Sequence, residues 1–197
     1  NVNKNKQFVF LYYNILNIII LCGKKLKIID LIKKKKTISF EFFPPKRESD
    51  LPKLYETVDR LSTYNPDFVS FTYGAGGNTR QLTIKVSKDT KIANLTQVMT
   101  HLTCVAHTKK EIDTILDELS KNKIENIIAL RGDKPKDIDI KNELIHATDL
   151  ISYIKNQSNS FCIAAACYPE LHPETNDFSE EIKYTKLKQD KGADFLV

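Results

Sequence analysis

The stretch Asn126-Ile127-Ile128-Ala129-Leu130-Arg131-Gly132-Asp133 runs from an apolar block into a charged, glycine-bearing end. A short apolar run stopped by turn-forming residues predicts a buried strand of a parallel sheet, with its polar end at the strand's C-terminus. The segment before it, Lys109 to Ser120, sets Ile112, Ile115, Leu116 and Leu119 at helical spacing on one face. Outward from this strand the same unit recurs. Further strands are predicted over Thr37 to Phe43, Asp67 to Tyr73, Gln97 to Val105 and Phe161 to Cys167, and a last one is begun by Asp194 to Val197. Helices are predicted over Leu51 to Thr63, Thr79 to Ile92, Ala147 to Lys155 and Ser179 to Lys191, the last closed by Gly192.

Strands alternating with helices imply right-handed βαβ units and a parallel sheet, either open and doubly wound or closed as an eightfold barrel. The strand ends decide between them. Glu41 ends the first run, Thr72 and Tyr73 the second, and His101 lies in the third; Arg131 and Asp133 follow the fourth and Tyr168 the fifth. In a barrel all such ends converge on one mouth, whereas an open sheet spreads them along an edge, so polar groups at every end favour the barrel. Eight units of roughly thirty residues would need about 240. From Thr37 onward only five units and the start of a sixth strand are present, so an incomplete (β/α)8 barrel of the α/β class is expected. Alternation puts Ser39 and Glu41 on one face of the first strand and Ser70 and Thr72 on one face of the second; Ile38, Phe40, Phe42, Val69 and Phe71 then turn to the helices.

Charge and cysteine content narrow the function. The 197-residue chain carries a net charge of +5, but residues 1–36 hold nine lysines against the single acid Asp30, so that +8 sits in this leader and −3 in the rest. A mildly acidic body has no basic face for a polyanion, which excludes nucleic-acid binding. The four cysteines, at 22, 104, 162 and 167, form no regular framework, so reduced thiols and a cytoplasmic setting are expected. The apolar block from Phe8 to Cys22 falls short of the roughly twenty residues that span a bilayer. A membrane-tethered interaction module led by residues 8–22 is nonetheless the alternative to an enzyme.

Glu41 sits in Ser39-Phe40-Glu41-Phe42-Phe43-Pro44-Pro45 between aromatic neighbours. Apolar surroundings would raise its pKa and suit it as a general acid; the competing reading is a solvent-exposed carboxylate or one paired with Lys46 or Arg47. The loop Tyr73-Gly74-Ala75-Gly76-Gly77-Asn78-Thr79-Arg80 lies between a strand and a helix, where backbone amides could cradle a phosphate, although it matches no dinucleotide fingerprint. It reads equally well as a flexible turn. Arg131-Gly132-Asp133 offers opposite charges with close backbone approach, or else a structural ion pair. Tyr168-Pro169-Glu170-Leu171-His172-Pro173-Glu174 follows the small residues Ala164 to Ala166, which leaves room for a bulky ligand or marks a rigid loop. His101 and His107 share a strand face with Cys104 on the other, so no metal site is expected.

Together SFEFFPP at Ser39 to Pro45, FVSFTYGAGG at Phe68 to Gly77, HLTC at His101 to Cys104, IIALRGD at Ile127 to Asp133 and AACYPELHPE at Ala165 to Glu174 resemble the catalytic flavin domain of the methylenetetrahydrofolate reductase family. The resemblance covers nearly all of residues 37–197 and none of residues 1–36, which stand as a lysine-rich leader. It implies a (β/α)8 barrel carrying FAD, reduced by NADH or NADPH before folate takes the hydride, in one-carbon and methionine metabolism. By resemblance, catalytic roles fall to Glu41, Asp133 and Thr72. Glu41 would protonate the folate bridge nitrogen; Asp133 would lie near flavin and pterin; Thr72 would face substrate and nicotinamide. Cofactor contacts would be Tyr73, Ala75, His101, Leu130, Arg131, Gly132, Asp133, Ala147, Tyr168, His172 and Lys188. Folate would meet Glu41, Thr72, Asp133 and Tyr168.

Two departures stand out: His146 where the family commonly has tyrosine, and Glu181 where it usually has aspartate. The family also continues past Gly-Ala-Asp-Phe into further strands with folate contacts, so a truncated chain, or a non-catalytic remnant of the enzyme, is a second expectation. A homo-oligomer is implied for the full-length enzyme.

Overall fold

The computed structural model describes residues 27–73, 77–94, 96–133, 143–157 and 160–197. Within them the chain alternates strand and helix. A short helix α1 (Ile28–Ile32) precedes β1 (Ser39–Phe42), a 3-10 turn (Glu48–Asp50) and α2 (Leu51–Ser62). Then follow β2 (Phe68–Phe71), α3 (Gly77–Asn94), β3 (Gln97–Thr103), α4 (Lys109–Lys121), β4 (Asn126–Leu130), α5 (Ala147–Gln157), β5 (Cys162–Ala165), α6 (Phe178–Asp190) and β6 (Phe195–Leu196). The six strands form one sheet in the order β1-β2-β3-β4-β5-β6, every neighbouring pair parallel. Each crossover returns the chain to the adjacent position, so the sheet curls as the wall of an incomplete (β/α)8 barrel.

Local signals place the helices. Thr108 and Glu111 close a reciprocal capping box at the start of α4, which buries Ile112, Ile115, Leu116 and Leu119. Asp177 caps α6 by accepting from Ser179 N. That helix ends before Gly192, which takes φ +113, a conformation that a side chain would strain.

Apolar residues divide between the two faces of the wall. On the outer face, Leu102, Ile127 and Ile163 pack with Ile112, Leu119, Leu150 and Ile154 of α4 and α5. Phe42, Val69 and Phe71, with Phe40 against them, pack with Leu51 and Val58 of α2 and Leu82 and Val86 of α3. The inner face carries Phe68, Met99, Ile128 and Ala164, joined by Leu130, Phe195 and Ile28. The phase read from alternation therefore holds for β1 and β2 from Phe40 onward. Ile38 departs from it: it precedes β1 and is exposed, because the strand begins one residue later.

The leader contributes more than its composition suggests. Ile28 is fully buried in the inner cluster, its amide donating to Asn126 Oδ1 at 2.8 Å. Asn126 in turn donates from Nδ2 to Val98 O at 3.3 Å, so one buried amide ties α1, β3 and β4 together. The apolar block of residues 8–22 lies outside the described residues. Among the described ones, no helix is long and apolar enough to cross a membrane.

Candidate active site

Parallel pairing brings the ends of β1, β2 and β3 into register. Glu41 stands beside Ser70, and Ser70 beside Met99, two residues before His101. Glu41 Oε2 accepts a hydrogen bond from Ser70 Oγ at 3.3 Å and lies 3.0 Å from His101 Nε2. The His101 ring nitrogen and the Ser70 hydroxyl thus meet the same carboxylate oxygen, which joins β1, β2 and β3 in one polar cluster. Burial pulls the His101 pKa below its ordinary value, against the opposing pull of Glu41, and this favours the neutral ring.

The surroundings of Glu41 correct the sequence reading. Phe40 and Phe42, the neighbours expected to wrap the carboxylate, turn to the other face and pack toward α2 and α3. Glu41 itself is 45% exposed and meets polar groups, not aromatic rings. Side chains adjacent in a strand point to opposite faces, so flanking residues do not define an environment.

A second cluster gathers beyond β4 and β5. Arg131 Nη1 and Nη2 donate to the two carboxylate oxygens of Glu174 at 2.6 and 2.8 Å, a paired geometry that fixes the loop after β5 to the end of β4. Within that loop Tyr168 and His172 meet edge to face at 4.7 Å, and His172 Nδ1 accepts from Glu174 N at 3.1 Å. Lys188 of α6 places Nζ 5.8 Å from the centre of the Tyr168 ring and donates to Ala166 O at 2.8 Å. Burial lowers the Lys188 pKa, with the Glu181 charge opposing.

Gly132 is at φ +85, and a Cβ built there would stand 2.9 Å from Thr103 Cβ. The backbone between Arg131 and the exposed Asp133 thus runs against the end of β3 with no room for a side chain. Leu130 packs on the inner cluster. Thr72 follows β2, its amide donating to Phe42 O at 3.0 Å and its carbonyl accepting from Thr83 Oγ1 at 3.0 Å. Tyr73 hydrogen-bonds His107 at 2.9 Å and packs toward the helices. Ala147 opens α5, where Asp149 Oδ2 accepts from the amides of Ile145 and His146. Ala75 lies outside the described residues.

Two contacts went unassigned in the sequence. Ser70 was legible as an inward residue but had no role, and its partnership with Glu41 follows only from register. Glu174 closes the recognised YPELHPE run, yet its pairing with Arg131, 43 residues away, has no local signature.

Comparison with known proteins decides the family. The sequence profile described as methylenetetrahydrofolate reductase matches residues 25–197. The chain belongs to the methylenetetrahydrofolate reductase family. Its match opens twelve residues before Thr37, so part of the expected leader lies inside the family region. The chain is 35% identical over 191 residues to methylenetetrahydrofolate reductase (NADH) 1 of Arabidopsis thaliana, covering 87% of this chain and 32% of that protein. It is 40% identical over 160 residues to 5,10-methylenetetrahydrofolate reductase of Salmonella typhimurium, covering 81% of this chain and 53% of that protein. The chain therefore spans about a third of the plant relative and about half of the bacterial one. The fold is also similar to the crystal structure of 2,3-dimethylmalate lyase, of the PEP mutase/isocitrate lyase superfamily. That likeness has a TM-score of 0.52 at 10% identity, covering 85% of this chain and 59% of that one.

Proposed function

We propose that the barrel mouth of this chain is the cofactor and folate site of a methylenetetrahydrofolate reductase that converts 5,10-methylenetetrahydrofolate to 5-methyltetrahydrofolate with NAD(P)H and FAD in the cytoplasm. The observation that carries this reading is the Glu41–Ser70–His101 cluster, a carboxylate and an imidazole side by side at the strand ends of a family barrel. FAD, when bound, supplies a two-electron carrier that takes hydride from the nicotinamide in one half-reaction and gives it to folate in the other.

Two features of the chain fit such a ligand. Glu41, half-exposed beside Ser70 and His101, presents a carboxylate that a polar ligand atom can reach from solvent. The Gly132 turn lets a flat or phosphate-bearing group approach the backbone where any other residue would put a side chain. His101, Leu130, Arg131, Gly132, Asp133, Tyr168, His172 and Lys188 are the residues to hold the cofactor, with Tyr73, Ala75 and Ala147 completing the set. Arg131 is already oriented by Glu174, so its guanidinium is pre-positioned.

Glu41, in its protonated form, donates its proton to the bridge nitrogen of the substrate's five-membered ring. The carbon–nitrogen bond there breaks and leaves an electrophilic exocyclic carbon. Ser70 holds one oxygen of that carboxyl and so aims the other. Asp133, exposed beside the Gly132 turn, offers a carboxylate to the pterin ring. Thr72 and Tyr168 line the substrate side.

Substitution E41Q tests the assignment. Folate-dependent turnover is expected to fall by about 10²–10⁴-fold, the usual contribution of general acid catalysis, while reduction of bound FAD by NAD(P)H in a single turnover stays within about twofold. Equal loss of both half-reactions would overturn the role given to Glu41.

A further inference from the structure

A third polar group, outside both clusters, joins the end of β2 to the turn after β3. His107 is almost wholly buried, with Nδ1 3.1 Å from Val105 O and Nε2 2.9 Å from Tyr73 Oη. A carbonyl oxygen only accepts, so Nδ1 carries the hydrogen; the neutral ring then presents a bare Nε2, and the Tyr73 hydroxyl is the donor. The two rings lie 5.7 Å apart, tilted at 50°, with the Tyr73 ring against the outer core. Tyr73 directly follows Thr72, whose amide is bonded to Phe42 O.

We infer that His107 is a positioning residue: by accepting the Tyr73 hydroxyl it anchors that ring in the helix layer and thereby fixes the Thr72–Tyr73 backbone at the barrel mouth. The inference deepens the flavin and folate reading above, because Thr72 and Tyr73 are the residues that reading places at substrate and cofactor. His107 itself touches neither.

The arrangement depends on the neutral ring. Protonation would put a hydrogen on Nε2, leaving two donors face to face unless the phenol reverses and gives up its own acceptor. The charged and titratable groups facing His107 are Tyr73 from the end of β2, Arg80 from α3 and Glu111 from α4; Arg80 and Glu111 lie 3.5 Å apart. Burial and the Arg80 cation hold the His107 pKa below its ordinary value, with the Val105 carbonyl and Glu111 opposing. The neutral form therefore prevails at neutral pH and is lost on acidification.

The test uses the full chain with FAD as the probe, in H107F, H107Q, Y73F and the double variant H107F/Y73F. H107F removes the acceptor, and FAD affinity should drop by about tenfold, the size of one hydrogen bond's net effect. Y73F should do the same, and the double variant should be no worse than either single one. Glutamine, whose amide oxygen can reach the place of Nε2, should restore most of the affinity. Wild-type affinity should fall on acidification, and that fall should be smaller in H107F, where His101 still titrates in the site. Affinity within twofold of wild type in H107F, or simple additivity in the double variant, would overturn the inference.

Exchange of the Thr72 and Tyr73 amides, followed without ligand, separates this failure from that of the flavin reading. Faster exchange in H107F, slowed again in H107Q, supports the positioning role even if the wild type binds no FAD. Unchanged exchange refutes it.

Discussion

Gly132 shows how one backbone angle constrains the proposed chemistry. At φ +85 an L-residue is strained by about 1–2 kcal/mol, and its Cβ would collide with Thr103 Cβ, an atom fixed to the β3 backbone. G132A is therefore expected to destabilise the chain by about 2–3 kcal/mol in urea unfolding and to weaken FAD binding in parallel. Loss of less than about 0.5 kcal/mol would mean that the turn relaxes freely. The sequence announced Gly132 through its place between Arg131 and Asp133, and Glu41 through its place in SFEFFPP. It misled on the carboxylate's surroundings, since the alternation that turns Glu41 inward also turns Phe40 and Phe42 away. What remained hidden at this scale were partners set by register across strands, such as Ser70, or by loops far apart in the chain, such as Glu174.

Among the elements, α1 is the one that composition concealed. Its block Ile28-Ile29-Asp30-Leu31-Ile32 is flanked by lysines and has no side-chain N-cap, so nothing local marks it as part of the fold. Its placement comes from tertiary contacts: burial of Ile28 among Phe68, Met99, Ile128 and Ala164, and the Asn126 side chain 98 residues away. N126A leaves the buried Ile28 amide and Val98 carbonyl without that partner and is expected to cost about 1–3 kcal/mol of stability. N126D keeps the acceptor but buries a charge against Val98 O, so it should cost more than N126A in the same unfolding assay. Equal stability of wild type and both variants would show that α1 is not held through Asn126. By contrast, β4 and the start of α4 were legible to the residue, because a clean apolar run and apolar residues at helical spacing are signals carried locally. The flanking strands came out shorter than their apolar runs, as hydrogen-bonded pairing stops before the side-chain pattern does.

Over the whole molecule, the barrel wall curls from β1 to β6 and gathers its polar strand ends on one side, while α6 turns Phe178, Ile182 and Tyr184 outward. The buried histidines make its stability pH-dependent. His101 and His107 both have folded pKa values below the ordinary value of about 6.5, so the unfolded chain binds protons more readily than the native one. Their contribution is fully present above about pH 6.5 and is lost as the pH falls through the lower folded values. Thermal unfolding midpoints should accordingly drop between about pH 7.5 and about pH 5.5, and the drop should shrink in H107F. A midpoint that rises on acidification would contradict the buried neutral rings.

The claim on which the rest depends is that the strand ends of this chain form a flavin site. Its direct test is the visible absorption spectrum of the purified chain after FAD is added and the excess removed. Retention of oxidised flavin in stoichiometric amount, weakened in G132A, is the predicted result. A cooperatively folded chain that retains no flavin would contradict it.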